Sequence, residues 1–191
     1  MATNLVTRAE YKTYVGVSST NADAEIDLLI TNVSALTKAY CRQTFVDYVD
    51  DVKIERFNGG GFFNYYLKEY PIIAVTAVEY SADYGATYTA LVEYTDWVYD
   101  PSITAIQSLG LTGFKSAVNG YKVSYNCGYE SVPPDLKMAV MDLITYYRKN
   151  DSAVHTHKLA NPNTMQVEYI ASSNFPAHIK RVLDLYTADF T

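Results

Sequence analysis

The sequence is poor in the residues that small chains most often use for chemistry. It has two cysteines, Cys41 and Cys127, three histidines and one tryptophan in 191 residues. Two cysteines do not make a disulfide scaffold. No apolar run approaches the ~18 residues of a membrane-spanning helix. Met1–Glu10 is mixed and lacks the apolar stretch of a secretory signal. Cations are short as well: 15 Lys and Arg stand against 21 Asp and Glu, for a formal charge of −6. That balance argues against a protein that grips nucleic acid by its phosphates. What the chain does have is 49% hydrophobic residues and 19 tyrosines. Its length and apolar content suit one globular domain, or one domain with an arm, and exclude compositional disorder. Tyrosine serves both β-strands and interfaces that are part dry and part wet.

Periodicity divides the chain into helices, strands and helices again. Thr7-Arg8-Ala9-Glu10 reads as a capping box, and the short helix behind it stops near Gly16. A longer helix is predicted from Ala22 to Arg42, capped by Asn21 or Asp23. Ile26, Leu29, Ile30, Val33, Leu36 and Tyr40 form its stripe. The middle alternates with period two. Val52 and Ile54 alternate with Asp51, Lys53 and Glu55; Phe63, Tyr65 and Leu67 with Asn64, Tyr66 and Lys68; Tyr121, Val123, Tyr125 and Cys127 with Lys122, Ser124 and Asn126. Ile73, Val75 and Ala77 follow Pro71, then come Tyr88–Tyr94 and Trp97–Tyr99. These are half-buried antiparallel strands with one wet face. Asn58–Gly61, Asp83–Gly85, Asp100–Ser102 and Asn119-Gly120 break them. The helical period returns after Pro133-Pro134 with Leu136, Val140, Leu143 and Tyr147, ending near Asn150. Asp151–Ser173 is polar and aperiodic and reads as an arm or long loop. A last helix is expected over Phe175–Ala188, capped by Asn174, with Ile179, Val182, Leu183 and Tyr186 as its stripe. Grouped strands flanked by about four helices give an α+β fold: a helical bundle beside a small antiparallel sheet region. The division expected is a core over 1–150 and a C-terminal arm with its short helix over 151–191.

The search for chemistry returns little. Asn58-Gly59-Gly60-Gly61 is glycine-rich, but no Lys-Ser/Thr follows, so it reads as a hairpin tip rather than a phosphate loop. His155 and His157 lie two apart in the polar stretch and His178 near the last helix; without further ligands on a rigid frame they do not make a metal site. Cys41 and Cys127 read as free buried thiols. There is no Gly-x-Ser-x-Gly, and Asp50-Asp51 point to opposite strand faces, so they are no acid/base pair. Arg148-Lys149 and Lys180-Arg181 are ordinary solvated helix cations. No catalytic, cofactor or metal residue is assigned. The residues describe a soluble α+β domain with a polar arm, no catalytic constellation and an excess of interface-type tyrosine.

Four stretches, taken in order, resemble a known family. The long helix exits through Cys41-Arg42-Gln43-Thr44-Phe45, and Tyr70–Val78 makes a Pro-led strand. Tyr121–Tyr129 then runs through a Gly-Tyr turn into Val132–Lys137, and Phe175-Pro176 with Arg181, Leu183 and Tyr186 makes a closing helix. This order is similar to that of the head–tail connector (adaptor) proteins of tailed bacteriophages. The chain departs from it by the insertion of Gln43 and by the long Asp151–Ser173 stretch. The resemblance implies a structural virion protein of the neck, assembled in the host cytoplasm. It implies a homo-oligomeric ring, commonly of twelve copies, with the portal above and a stopper or tail protein below. Genomic DNA would pass through the lumen without sequence-specific binding, and no membrane or cofactor is involved.

On that basis the polar arm and the last helix, with Phe175, Ile179, Val182, Leu183 and Tyr186 as the apolar side, are the expected portal-docking element. The alternative is that its stripe packs on its own domain. The hairpin tips, Gly59, Gly60 and Gly61, and the tyrosines Tyr66, Tyr80, Tyr84 and Tyr129 are the expected ring or tail-side contacts. Tyr88, Tyr94, Tyr121 and Tyr125 are expected in the core. Part of the −6 charge is expected to face the channel, because an acidic lumen repels phosphates. Three alternatives stand beside this. A stopper or tail-completion protein would be β-rich without flanking helix pairs. A hydrolase would need a pocket joining a histidine to a carboxylate. A carbohydrate-binding module would expose aromatic rows on one sheet face.

Overall fold

The structure, a computed structural model, describes residues 3–149 and 175–188. It has the α+β class expected, with four helices and two antiparallel sheets among the described residues. The chain separates into two compact units. Among the described residues, Thr44–Ser131 forms a β unit, and 3–43 with 132–149 and 175–188 forms a helical unit.

In the helical unit, α1 spans Arg8–Val15 and α2 Asp23–Cys41. The capping box is present: Thr7 accepts from the Glu10 amide, Glu10 reaches back to the Thr7 amide, and Gly16 closes the helix in the left-handed region. Helix α2 begins without either side-chain cap expected for it; its N-cap is Ala22, and its negative first turn (Asp23, Glu25) is what favours the start. α3 spans Pro134–Lys149 and α4 Ala177–Leu185, with Pro176 before it. Asn174, expected to cap α4, lies outside the described residues, as do His155, His157 and the whole 151–173 stretch. Ile26, Ile30 and Val33 of α2 face Leu136, Val140, Leu143 and Ile144 of α3, with Leu5, Val6 and Tyr11 buried in the same unit. The α2 stripe is part polar: Ser34 and Thr37 are buried, and Ser34 accepts from the Leu5 amide at 3.1 Å.

In the β unit, β1 is Lys53–Gly59, β2 Asn64–Tyr66, β3 Ile72–Tyr80, β4 Thr89–Ala90, β5 Trp97–Asp100, β6 Ala105–Ser108 and β7 Ala117–Cys127. β6 carries no period-two pattern and is not foreseen by the sequence; β7 runs straight through Asn119-Gly120, which reads as a break. One sheet has the order β1-β7-β3-β4, the other β2-β6-β5. A single core collects Phe57, Val78, Tyr121, Val123, Tyr125 and Cys127 from the first sheet and Trp97 and Ile106 from the second. Phe57 is its hub, stacked on Tyr65 at 3.7 Å and on Tyr121 at 5.1 Å, with Phe114 edge-on at 5.2 Å.

The alternation of β1 resolves against its hydrophobicity. Ile54 is 52% exposed while Glu55 is 6% exposed. Phe57 decides this, because side chains two apart share a face and Phe57 must enter the core. Glu55 therefore enters with it, opposite Val123 on β7. Its carboxylate accepts from the Tyr65 hydroxyl at 3.0 Å, from the Lys68 amide at 3.3 Å and from the Tyr125 hydroxyl. A buried carboxylate is tolerable only when bonded this fully. Glu69 sits nearby in the same way, accepting from the Thr44 amide at 3.0 Å and from Lys53 at 3.2 Å.

Candidate interaction surfaces

A site must be sought on surfaces, since the described residues offer no group of three or more His, Cys, Asp or Glu placed to hold a metal. His178, the one described histidine, is exposed, with its Nε2 4.0 Å from Asp142. Cys41 and Cys127 are buried free thiols, and burial pushes both up to about 12, far from reactivity. The same burial, with the Glu55 carboxylate beside them, raises Tyr65 and Tyr125 well above the ordinary phenol value. The helical unit has one cleft of about 610 Å³, lined by Tyr11, Tyr14, Val17, Asp142 and Arg148 among others. Arg148 is paired with Glu25 at 3.3 Å and the Tyr14 hydroxyl with Asp142 at 2.6 Å, so its polar groups serve the fold.

The last helix does not offer its apolar stripe. Phe175, Ile179 and Leu183 are buried, and α4 packs on α2 and α3. Phe175 lies against the Tyr40 ring at 5.3 Å, and the Tyr186 hydroxyl donates to Asp135 at 2.7 Å. Val182 and Tyr186 are half-buried. The stripe thus faces this unit's own core, where α4 packs against α2 and α3. What α4 leaves exposed is Ala177, His178, Lys180, Arg181, Asp184 and Leu185.

The β unit carries the more distinctive surface. β1 and β3 end, and β7 begins, at one end of the four-stranded sheet: Gly59 pairs with Ala117, and Tyr80 with Tyr121. The Gly59–Gly61 tip, the Asp83–Gly85 turn and the loop before β7 therefore gather there. Backbone bonds stitch them. The Gly61 amide donates to Phe114 and the Phe114 amide to Phe62, both at 2.8 Å; Ser108 donates to Phe63 at 2.8 Å and Leu109 to Asp96 at 2.9 Å. Glycine makes the approach possible. A Cβ on Gly59 would lie 1.7 Å from the Lys115 carbonyl oxygen, and one on Gly113, at φ +66°, 2.5 Å from that of Phe62. The glycine-rich tip is thus a tightly held backbone junction rather than only a pliable turn.

This junction holds Phe62, Phe63, Leu109 and Leu111 in solvent, and Leu111 is 100% exposed. Phe62, Leu109 and Leu111 sit in loops where periodicity says nothing; Phe63, which the alternation groups with Tyr65 and Leu67, lies just before β2 and is exposed. A signal was nonetheless present: neither 57–66 nor 101–114 contains a charged residue. Of the positions singled out, Gly60, Gly61, Tyr66 and Tyr84 are exposed, Tyr84 at 78%. Tyr80 is half-buried with its ring 5.2 Å from that of Tyr121, and Tyr129 is half-buried with its amide bonded to Phe45. Tyr121 and Tyr125 are core residues as expected; Tyr94 is exposed instead, because β4 ends at Ala90 and Tyr94 lies in a turn at φ +60°.

Comparison with known proteins agrees with this architecture. Among curated protein sequences none is significantly similar to the chain. The chain resembles, at the level of fold, a protein in the neck of an empty gene transfer agent particle computed with C6 symmetry. The TM-score is 0.65 at 16% identity, covering 98% of this chain and 91% of that one. A chain from the virion of the native gene transfer agent particle gives a TM-score of 0.64 at 15% identity, over 98% and 91%. One from the neck of the native particle computed with C12 symmetry gives 0.57 at 16%, over 100% and 97%. The family model described as head completion protein matches residues 4–188, which is nearly the whole chain, and the protein therefore belongs to the head completion protein family.

Proposed function

We propose that this chain is a structural, non-enzymatic protein of the virion neck, a head–tail adaptor. Copies of it form a ring under the portal, extend the DNA channel and provide the surface to which the tail attaches. The observation that carries this reading is the family match over residues 4–188. The likeness in fold to chains from particle necks reconstructed with six-fold and twelve-fold symmetry supports a cyclic assembly. Twelve copies is the number we adopt. A closed ring needs two different complementary patches per subunit. The charge-free loops of the β unit are of the kind such a patch requires, since large exposed apolar side chains in a folded monomer mark interaction sites. The net charge of −6 suits a conduit, because a duplex slides past acidic walls and is held by basic ones.

Electron microscopy of the purified protein with and without its portal tests the reading. The expected image is a ring seated on the narrow end of the portal, with a central opening wide enough for duplex DNA. A protein that neither forms rings nor decorates the portal overturns it. The stopper alternative is disfavoured by the helical unit of α1, α2, α3 and α4, which a β-rich stopper would lack.

A further inference from the structure

The β unit has a second exposed apolar surface, on the outward face of the four-stranded sheet. Val52 and Ile54 of β1 and its approach, and Ile73, Ala74 and Thr76 of β3, are exposed there, with Ser124 and Asn126 of β7 between them. The register places Ile54, Ser124 and Ala77 in one row across three strands. The face is uncharged over this half; Arg56 and the Lys122–Glu79 ion pair, 2.5 Å, lie at its other end. The face exists because β1 is turned against its hydrophobicity, with Glu55 inside and Ile54 outside. Sequences break such a local rule mainly where function asks for it.

One compact unit therefore bears two dissimilar apolar surfaces: a protruding tip of Phe62, Phe63, Leu109 and Leu111, and a flat sheet face around Ile54. Resting on the ring reading above, we infer that the tip of one copy docks on the outward sheet face of the next, and that this contact closes the ring. The occupant is a second copy of this chain rather than DNA or a charged partner. The tip residues and the Ile54 half of the sheet face are uncharged, with Lys115 and Arg56 at their margins, so mating their centres buries no unpaired ion, whereas a charged partner would leave its ions desolvated. Nucleic acid is disfavoured because the tip itself is apolar, Lys115 beside it offers a single cation, and the chain carries a net charge of −6. The two surfaces are not self-complementary. Their pairing is heterologous and runs head to tail, as ring closure demands.

The test uses Leu111→Asp and Ile54→Asp in the full chain. Both positions are exposed, so far-UV circular dichroism and melting temperature should match the wild type; Leu28→Asp, an exposed position on α2, is the control. Native mass spectrometry and electron microscopy should give rings for wild type and L28D, and monomers for L111D and for I54D. A one-to-one mixture of L111D and I54D should stop at heterodimers, because the intact sheet face of the first accepts the intact tip of the second, and neither can extend. Rings from either single variant, or a mixture that stays monomeric, overturn the inference while leaving the ring reading intact. Loss of tail or portal binding by L111D with its ring unbroken also overturns it, and assigns the tip to a neck partner. A wild type that forms no ring at all removes the ring reading and the inference with it.

Discussion

At the scale of single residues, the fold hinges on Phe57 and on what its burial obliges Glu55 to do. The phenylalanine gains more by entering the core than Ile54 loses by leaving it, since it meets three aromatic rings there. Glu55 then needs donors, and Tyr65, Tyr125 and the Lys68 amide supply them. Truncation of Glu55 to Ala removes the acceptor of the buried Tyr125 hydroxyl and of the half-buried Tyr65 hydroxyl. It should cost about 2–4 kcal/mol, given a penalty of about 1–3 kcal/mol for each unsatisfied buried group. Glu55→Gln keeps one acceptor oxygen and should cost less. Urea unfolding of the two variants checks the order; an Ala variant as stable as the Gln variant would mean the tyrosines find other partners. At the same scale Glu10 illustrates a carboxylate tuned by its neighbours. The Lys137 ammonium at 2.6 Å, with the Thr7 amide, holds it down to about 2. A group whose acidity is increased by folding stabilises the fold above its unfolded value and loses that contribution as the pH falls. The share of stability owed to Glu10 is therefore present at neutral pH and fades between about 4.5 and about 2.

Among the elements, α4 is the one whose role the tertiary contacts settle most sharply. Its stripe is real, but Ile179 and Leu183 are taken up by α2 and α3. Truncation after Asn150 would strip the helical unit of Phe175, Ile179 and Leu183 together. It cannot separate portal docking from folding. Paired point substitutions do. Leu183→Ala, at 0% exposure, should destabilise the protein by about 2–5 kcal/mol. Leu185→Asp, on the exposed side, should leave the melting temperature within a degree or two. If the C-terminal helix docks on the portal through the face it leaves free, L185D with Lys180→Glu and Arg181→Glu should weaken portal binding in a pull-down. Unchanged binding by that triple variant removes α4 from the docking surface. The β elements follow a related logic. Strand β6, without alternation of its own, is held between β2 and β5 and contributes Ala105 and Ile106 to the core.

For the whole molecule, the relevant property is charge set against the DNA channel proposed for the ring. With 21 acidic residues against 15 basic ones, the protein should not retard duplex DNA in a gel-shift assay, even at low salt, where phosphate contacts are strongest. A clear shift at ~50 mM salt, abolished by ~200 mM, would mean that a basic surface is concentrated in the assembly and would contradict an acidic lumen. The two compact units also separate two tasks. The helical unit pairs several of its surface ions internally, as with Lys12–Asp23 at 2.7 Å and Lys137–Glu10. The β unit exposes the uncharged loops and sheet face on which assembly is proposed.

The sequence by itself determined the class of fold, the capping of α1, the stripes of α2, α3 and α4, the long alternation of β7 and the inertness of both cysteines. These follow from local stereochemistry and from periodicities that a single segment carries within itself. It also determined kinship: the order of the Arg42–Phe45 helix exit, the Pro-led strand, the Gly-Tyr turn and the closing helix points to phage connectors, in keeping with the head completion family. Only the tertiary structure decided which face of β1 is buried. Period two gives two faces but not which one the core selects, and one aromatic residue outweighed two aliphatic ones. Only it decided that the stripe of α4 is internal, because an amphipathic helix states that it has a partner and not whose. And only it gathered Gly59–Gly61, Phe62, Phe63, Leu109 and Leu111 at one end of the sheet, because loops meet through strand order and backbone bonding, and neither is written in any one segment.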